Sequence, residues 1–353
     1  MHACKPFIRC VLFIALLASG CSGTASRNAP TVGAGTPTTA VVAPSTIASA
    51  PGDTAVLTLV AYSTPREAYE ELIPLFGKTV AGAGVTFEQA YGSSGEQSRA
   101  VENGLAADVV ALSLEPDVTR LVKAGLVAED WSKDEYQGMV TQSVVVLVVR
   151  VGNPKGIRTW DGLTKPGVEV LTPNPLTSGG ARWNVMAAYG AQVKTGKSHE
   201  QAVEYLGALF RNVVVQDKSA RESLQTFLGG KGDVMLAYEN EAIIAQQKGQ
   251  TLDYVVPDQT ILIENPVAVL TGSQHPERAR AFVQYLRSPQ AQRVFGQKGY
   301  RPIDQPTLAE FTYPAPAVLF TIADFGGWSE VQTRFFNAET GIMTEINRSL
   351  GVQ

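Results

Sequence analysis

The sequence predicts an α/β protein of two domains, and three features carry that prediction. Strand-like and helix-like segments alternate from residue 55 onward. A long β-branched run, SVVVLVVR at 143–150, divides the alternation and is too apolar for a surface strand. The length of 353 residues fits two domains of ordinary size.

The elements follow in order. VLTLVAYS opens the body as a strand. PREAYEELIPLFGKTV reads as a helix, with Tyr69, Leu72, Ile73 and Phe76 on one face. VTFEQAYGSSG is a strand running into a loop, EQSRAVENGL a helix, ADVVALS a buried strand and EPDVTRLVKAGLV a helix. The βαβα order predicts parallel strands covered by helices. SVVVLVVR is expected to cross into the second domain before GNPKG breaks it. GVEVLTPNP, a helix from about Gly180, FRNVVVQD, a helix from about Ala220 and GDVMLAYEN continue the alternation. TLDYVVP and ILIENPVAVLTGS return toward the first domain. HPERARAFVQYLRSPQAQRVFGQKG is an amphipathic helical stretch interrupted at Pro289, and the tail ends in a further helix.

Composition narrows the function. The chain is 44% hydrophobic and 18% charged, with a formal net charge of −4 and a pI near 5.6. No basic tract suggests a nucleic-acid surface. All three cysteines, Cys4, Cys10 and Cys21, fall in the first 21 residues. Lys5 and Arg9 precede VLFIALLA, a run too short to span a membrane comfortably and laid out like an export signal. LASGC then resembles a lipoprotein signal in which Cys21 becomes the lipid-bearing N-terminus; the alternative is an ordinary signal cut elsewhere. Residues 22–54 are rich in Ser, Thr, Ala, Gly and Pro and read as a flexible tether. The chain is therefore expected at the outer face of the cytoplasmic membrane, as a monomer.

Four loops between a strand and a helix concentrate small donor residues: Ser63-Thr64, Ser93-Ser94-Gly95, Ser178-Gly179-Gly180 and Ser219-Ala220. Ligands of open α/β sheets sit beyond the carboxyl ends of the strands. A helix start offers unpaired N–H groups and partial positive charge, and several starts meeting in one crevice make an anion site without lysine. The same residues also serve as plain N-caps and turns. Arg66, Arg99, Arg182 and Arg221 follow these loops and either brace them or lie on the surface. Catalysis is not indicated. YGSSG lacks the nucleophile-elbow spacing, His199 and His275 lie in polar stretches, and no His and Cys cluster has metal spacing. No cofactor or metal is implied.

VGNPKGIRTWDGLTKPGVEVLTPNPLTSGGARWN closely resembles the periplasmic sulfate-binding proteins of ABC importers. So do AYSTPRE, AYGSSGEQSRAVENGLAADVVALS, SARESLQTF, GDVMLAYENEA and LRSPQAQRVFGQKGYRPID, in order, from about residue 56 to the C-terminus. The resemblance implies a two-lobed periplasmic-binding-protein fold of type II, with two crossing strands as hinge. It implies lobe 1 from 55–143 and 255–353 and lobe 2 from 144–254. It further implies a dehydrated sulfate held by the Ser63 amide, Ser94, the Ser178 hydroxyl, the amides of Gly179, Gly180 and Ala220, and Tyr238. Tyr238 stands where the family has a Trp donor, Ser63 where Asp is usual, Glu96 where a basic residue is common and Glu222 where Gly is common. Permease and ATPase subunits are the implied partners. Molybdate, tungstate or thiosulfate are alternative cargoes, and a surface lipoprotein with no transport ligand is the alternative of another class.

Overall fold

A computed structural model describes residues 54–351. The export signal at 1–21, the lipidation reading at Cys21 and the tether up to residue 53 lie outside the described residues. The chain runs β1 (Ala55–Tyr62), α1 (Arg66–Gly77), β2 (Val85–Gly92), α2 (Ser94–Glu102), β3 (Val109–Ala111), α3 (Glu115–Lys123) and β4 (Met139–Val149). It continues through β5 (Val170–Leu171), α4 (Gly179–Lys194), α5 (His199–Arg211), β6 (Val213–Val215), α6 (Ala220–Leu228), β7 (Val234–Tyr238), α7 (Glu239–Gln247), β8 (Asp253–Val255) and β9 (Gln259–Val269). It ends in α8 (Pro276–Leu286), α9 (Pro289–Gln297), α10 (Gln305–Leu308), β10 (Val318–Phe320), α11 (Gly327–Phe336) and α12 (Ile342–Ser349).

β1 lies between β2 and β3 and runs parallel to both, as the βαβα order requires. The strand order is β2-β1-β3-β9-β4-β7-β5-β6, with β8 beside β4 and β10 beside β9. β4 and β9 carry the crossing. β4 pairs antiparallel with β9 through Met139–Val144, then with β7 through Val145–Val149. β9 reaches β3 through Val267–Val269. Two long strands thus belong to both halves of the sheet, which gives the two-lobed architecture the sequence predicts. Ser143 to Val149 are all buried, which explains the unbroken β-branched run.

Helices cover both faces of each lobe. Along β1, Leu57, Leu59 and Ala61 face a core with α1, α8 and α9, while Val60 faces α2 and α3. In the second lobe α4 is buried continuously from Gly179 to Gln192, so it has no polar face to make an amphipathic pattern. Trp328, Val331, Phe335 and Met343 of α11 and α12 share a core with Trp183, Tyr189 and Leu206 of α4 and α5. The expected interruption at Pro289 is the start of a separate helix. Pro289 opens α9, where its missing N–H costs nothing, and the Ser288 hydroxyl accepts from Ala291 N at 3.3 Å.

Close packing around α4 makes one glycine a test of the core. A Cβ at Gly190 would overlap the Phe320 ring, whereas one at Gly207 of α5 meets open space. Gly190→Val is expected to destabilise the fold by about 1–3 kcal/mol through overpacking. Gly207→Ala should instead stabilise by up to about 1 kcal/mol through helix propensity. Urea denaturation midpoints check both.

Candidate functional site

The donor-rich loops sit where strands hand over to helices. α2 starts at Ser94, α4 at Gly179 and α6 at Ala220, each directly after a serine in extended conformation. First-turn amides have no acceptor inside their own helix. Ser94, Gly179 and Gly180 are buried, and their amides donate to no other protein group among the described residues. Ser63 and Ala220 are half-buried, and their amides likewise lack a protein acceptor there.

These starts converge. A Cβ at Gly180 would lie 3.5 Å from Ser178 Oγ, 3.6 Å from Tyr238 Cε1 and 3.7 Å from Ala220 Cβ, so four of the expected residues meet at one point. A Cβ at Gly179 would lie 2.7 Å from both Ser113 Oγ and Leu114 Cδ2. The first lobe therefore closes on the start of α4 at a distance only glycine permits. The Gly95 amide donates across the cleft to Thr177 O at 3.2 Å, and Trp183 Nε1 donates to Ser113 O at 2.9 Å. The lobes are in contact, with the starts of α2 and α4 side by side.

The hydroxyls divide by what they already do. Ser178 caps α4 by accepting from Ala181 N at 3.3 Å, which leaves its O–H proton free to donate. Ser94 is engaged twice: it donates to Asp117 Oδ2 at 2.5 Å and accepts from Ser113 N at 2.9 Å. Only its amide remains free. Tyr238 OH and Ser113 Oγ share a hydrogen bond of 2.7 Å. Burial raises the Tyr238 phenol well above its usual range, so it keeps its proton. Ser219 is a plain cap, accepting from Glu222 N at 3.2 Å. Glu96 and Glu222 are exposed and bound by their own loops. Glu96 Oε2 accepts from Ser93 Oγ at 2.6 Å, and Glu222 Oε2 accepts from Lys218 N at 3.0 Å.

The four arginines differ. Arg66 is exposed and lies over the Tyr91 ring, 4.7 Å from its centroid. Arg99 is half-buried beside Gly95. Arg182 is buried; it donates to Pro175 O at 2.9 Å and Gln332 Oε1 at 3.0 Å, bracing the proline loop and docking α11. Arg221 reaches across the cleft. Its guanidinium grips Glu67 of α1 with bonds of 2.7 and 2.6 Å and touches Ser63 O at 3.4 Å. Lys248 bonds the same carboxylate. Burial alone would raise the Glu67 carboxyl, but the bonds from Arg221 and Lys248 hold it down at about 2. Ser63, Glu67, Ser93, Arg221 and the two exposed acids Glu96 and Glu222 line a cleft of about 530 Å³.

Sequence reasoning did not single out Ser113, Glu67 or Lys248. Ser113 carried a signal, since it ends ADVVALS beyond a parallel strand as Ser63 and Ser93 do. Glu67 and Lys248 are 181 residues apart and carried none.

The bacterial extracellular solute-binding protein family matches residues 57–301. This chain belongs to that family. The sulfate-binding protein of Synechococcus elongatus is 47% identical to it over 298 residues, covering 81% of this chain and 85% of the relative. That of Escherichia coli is 38% identical, covering 82% and 92%. The solved structure of the sulfate-binding protein SubI from Mycobacterium tuberculosis superposes with a TM-score of 0.79 at 44% identity, covering 81% of this chain and all of that one. This solute-binding protein therefore carries its family's two lobes, crossing strands included.

The Glu67 bridge predicts a pH dependence. Its carboxyl lies below the unfolded value of 4.5, so its contribution is complete above 4.5 and is lost as pH falls toward about 2. Urea unfolding of wild type should therefore lose more stability between pH 7 and pH 3 than Glu67→Gln does. Equal losses would mean the bridge holds nothing.

Proposed function

We propose that this chain is the extracytoplasmic substrate-binding component of an ABC importer and that it carries sulfate. One observation carries the reading. Buried first-turn amides at Ser94, Gly179 and Gly180 have no protein acceptor among the described residues and converge from two lobes, while the nearby acids Glu96 and Glu222 are exposed and bonded to their own loops. Sulfate has no proton near neutral pH, so it is best met by donors alone. Asp117, the buried acid behind α2, is occupied by the Ser94 hydroxyl and does not offer itself to a protonated anion.

The proposed ligands are the amides of Ser63, Ser94, Gly179, Gly180 and Ala220 with the hydroxyls of Ser178 and Tyr238. Each charge-assisted hydrogen bond is worth roughly 1.5–3 kcal/mol, against the cost of dehydrating a dianion and closing two lobes. Hydrogen phosphate would set its own proton against a buried donor, at a cost of about 1–3 kcal/mol. Arg66, Arg99, Arg182 and Arg221 serve from behind the ligands. We take lobe 1 as 55–143 with 255–353 and lobe 2 as 144–254, with α11 and α12 buttressing the second lobe from their shared core. The closed lobes would then hand sulfate to permease and ATPase subunits, from a monomer anchored through Cys21; that anchor rests on LASGC alone.

Isothermal titration of the anion-free chain with sulfate, thiosulfate, molybdate and phosphate tests the cargo. Sulfate is expected to bind one to one with micromolar or tighter affinity and phosphate to give no heat. Preference for molybdate or thiosulfate would change the cargo, and silence from all four would favour an interaction-only lipoprotein. Ser178→Ala should weaken sulfate binding by about 1–2 kcal/mol. Gly179→Asp should abolish it, because a carboxylate then opposes the anion and the new Cβ meets Ser113 and Leu114. Unchanged affinity in Gly179→Asp would move the site elsewhere.

A further inference from the structure

Glu241 is the buried acid that the anion site does not use. It stands three residues into α7 from Tyr238, is 3% exposed, and neither carboxylate oxygen has a side-chain partner among the described residues, the Tyr238 backbone being the one weak donor toward it. A carboxylate in such a place is costly to keep charged, so its presence needs a reason. It lines a cavity of about 120 Å³ with Arg221, Lys248, Gln225 and Thr64, walled on one side by Leu224 and Ile244. Arg221, Lys248 and Glu241 all belong to the second lobe. Glu67, the acid that both cations hold, belongs to α1 of the first. When the lobes separate, Glu67 leaves with its own lobe, and the two cations keep Glu241 as their neighbour.

We propose that Glu241 is a positioning residue that receives Arg221 when the lobes open, competing with Glu67 for the same guanidinium. The inference rests on the importer reading above, since it assigns Glu241 a part in setting how readily the cleft opens. In the closed form Arg221 forks onto Glu67 and Glu241 is left alone. Burial pushes the Glu241 carboxyl up to about 7, against the pull of Arg221, so a large share of it is neutral in the closed form near neutral pH. In the open form the exchange gives Arg221 a new partner, so opening no longer strands a cation. The other groups facing Glu241 are the phenols of Tyr62, Tyr238 and Tyr300, all raised by burial and all neutral, so none of them competes for the guanidinium.

Removing the charge of Glu241 therefore takes a partner from the open form only. Stopped-flow kinetics with sulfate on wild type, Glu241→Gln, Glu67→Gln and the double variant read this directly. Glu241→Gln is expected to release sulfate about fivefold more slowly, with little change in association. That effect should vanish in the Glu67→Gln background, where the closed form has lost the competing acid. A merely structural role would give the same change in both backgrounds. An unchanged release rate, or an effect of equal size with and without Glu67, overturns the proposal. Glu241→Met repeats the charge removal with a side chain suited to the Leu224 and Ile244 wall, should the Gln variant fail to fold. If wild type binds no sulfate, the cargo reading fails on its own. The radius of gyration of the anion-free chain in solution then decides: a smaller value for Glu241→Gln than for wild type supports the exchange, and equal values overturn it.

Discussion

A dianion taken out of water must be met by hydrogen-bond donors, and on the proposed sulfate reading this requirement organises the molecule. The proposed donors are backbone amides at the starts of helices. An amide cannot be moved by a rotamer, so the whole helix has to be placed. Placing α4 means burying it along most of its length, down to small residues such as Gly179 and Gly190 where neighbours press closest. Placing α2 against α4 means bringing two lobes together, which in turn needs two long strands that belong to both. On that reading the fold is the scaffold for a handful of N–H groups that have no protein acceptor among the described residues.

The same requirement explains how the polar side chains around the cleft are used. Asp117 absorbs the Ser94 hydroxyl, Trp183 and Asn265 both donate to Ser113 O, and the Ser113 hydroxyl meets Tyr238. These bonds fix groups near the amides without placing a free acceptor among them. The charged residues sit one layer out. There the Glu67 bridge joins the lobes through Arg221 and Lys248, close enough to the start of α6 to link closure to the site. A bridge at that place ties the lobes together while one carboxylate offsets part of the charge of its two cations.

Much of this was legible in the sequence, for identifiable reasons. Strand-to-helix alternation shows in local periodicity, so the βαβα start of the first lobe and the crossing strand at 143–149 could be read from residue type alone. The loops at Ser94, Ser178 and Ser219 could be found because small donors before a helix are a local pattern. What could not be read depends on distance in sequence. Glu67 and Lys248 look like ordinary surface charges until the fold brings them together. Arg182 looks like a residue of the anion loop, yet its guanidinium runs toward Gln332 of α11, a partner 150 positions away. The packing of α11 and α12 on α4 and α5 was hidden for the same reason. A buried helix such as α4 gives no amphipathic signal to say which of its faces receives them.

The central claim is that the backbone amides of Gly179 and Gly180 hold the anion. The most direct measurement is a titration of the anion-free chain, labelled with ¹⁵N-glycine, followed by amide resonances as sulfate is added. The account predicts that the Gly179 and Gly180 signals move downfield together and saturate at one equivalent, while glycines far from the cleft, such as Gly207, stay still. Sulfate binding that leaves both resonances where they were would contradict it, because the donors would then lie somewhere other than the start of α4.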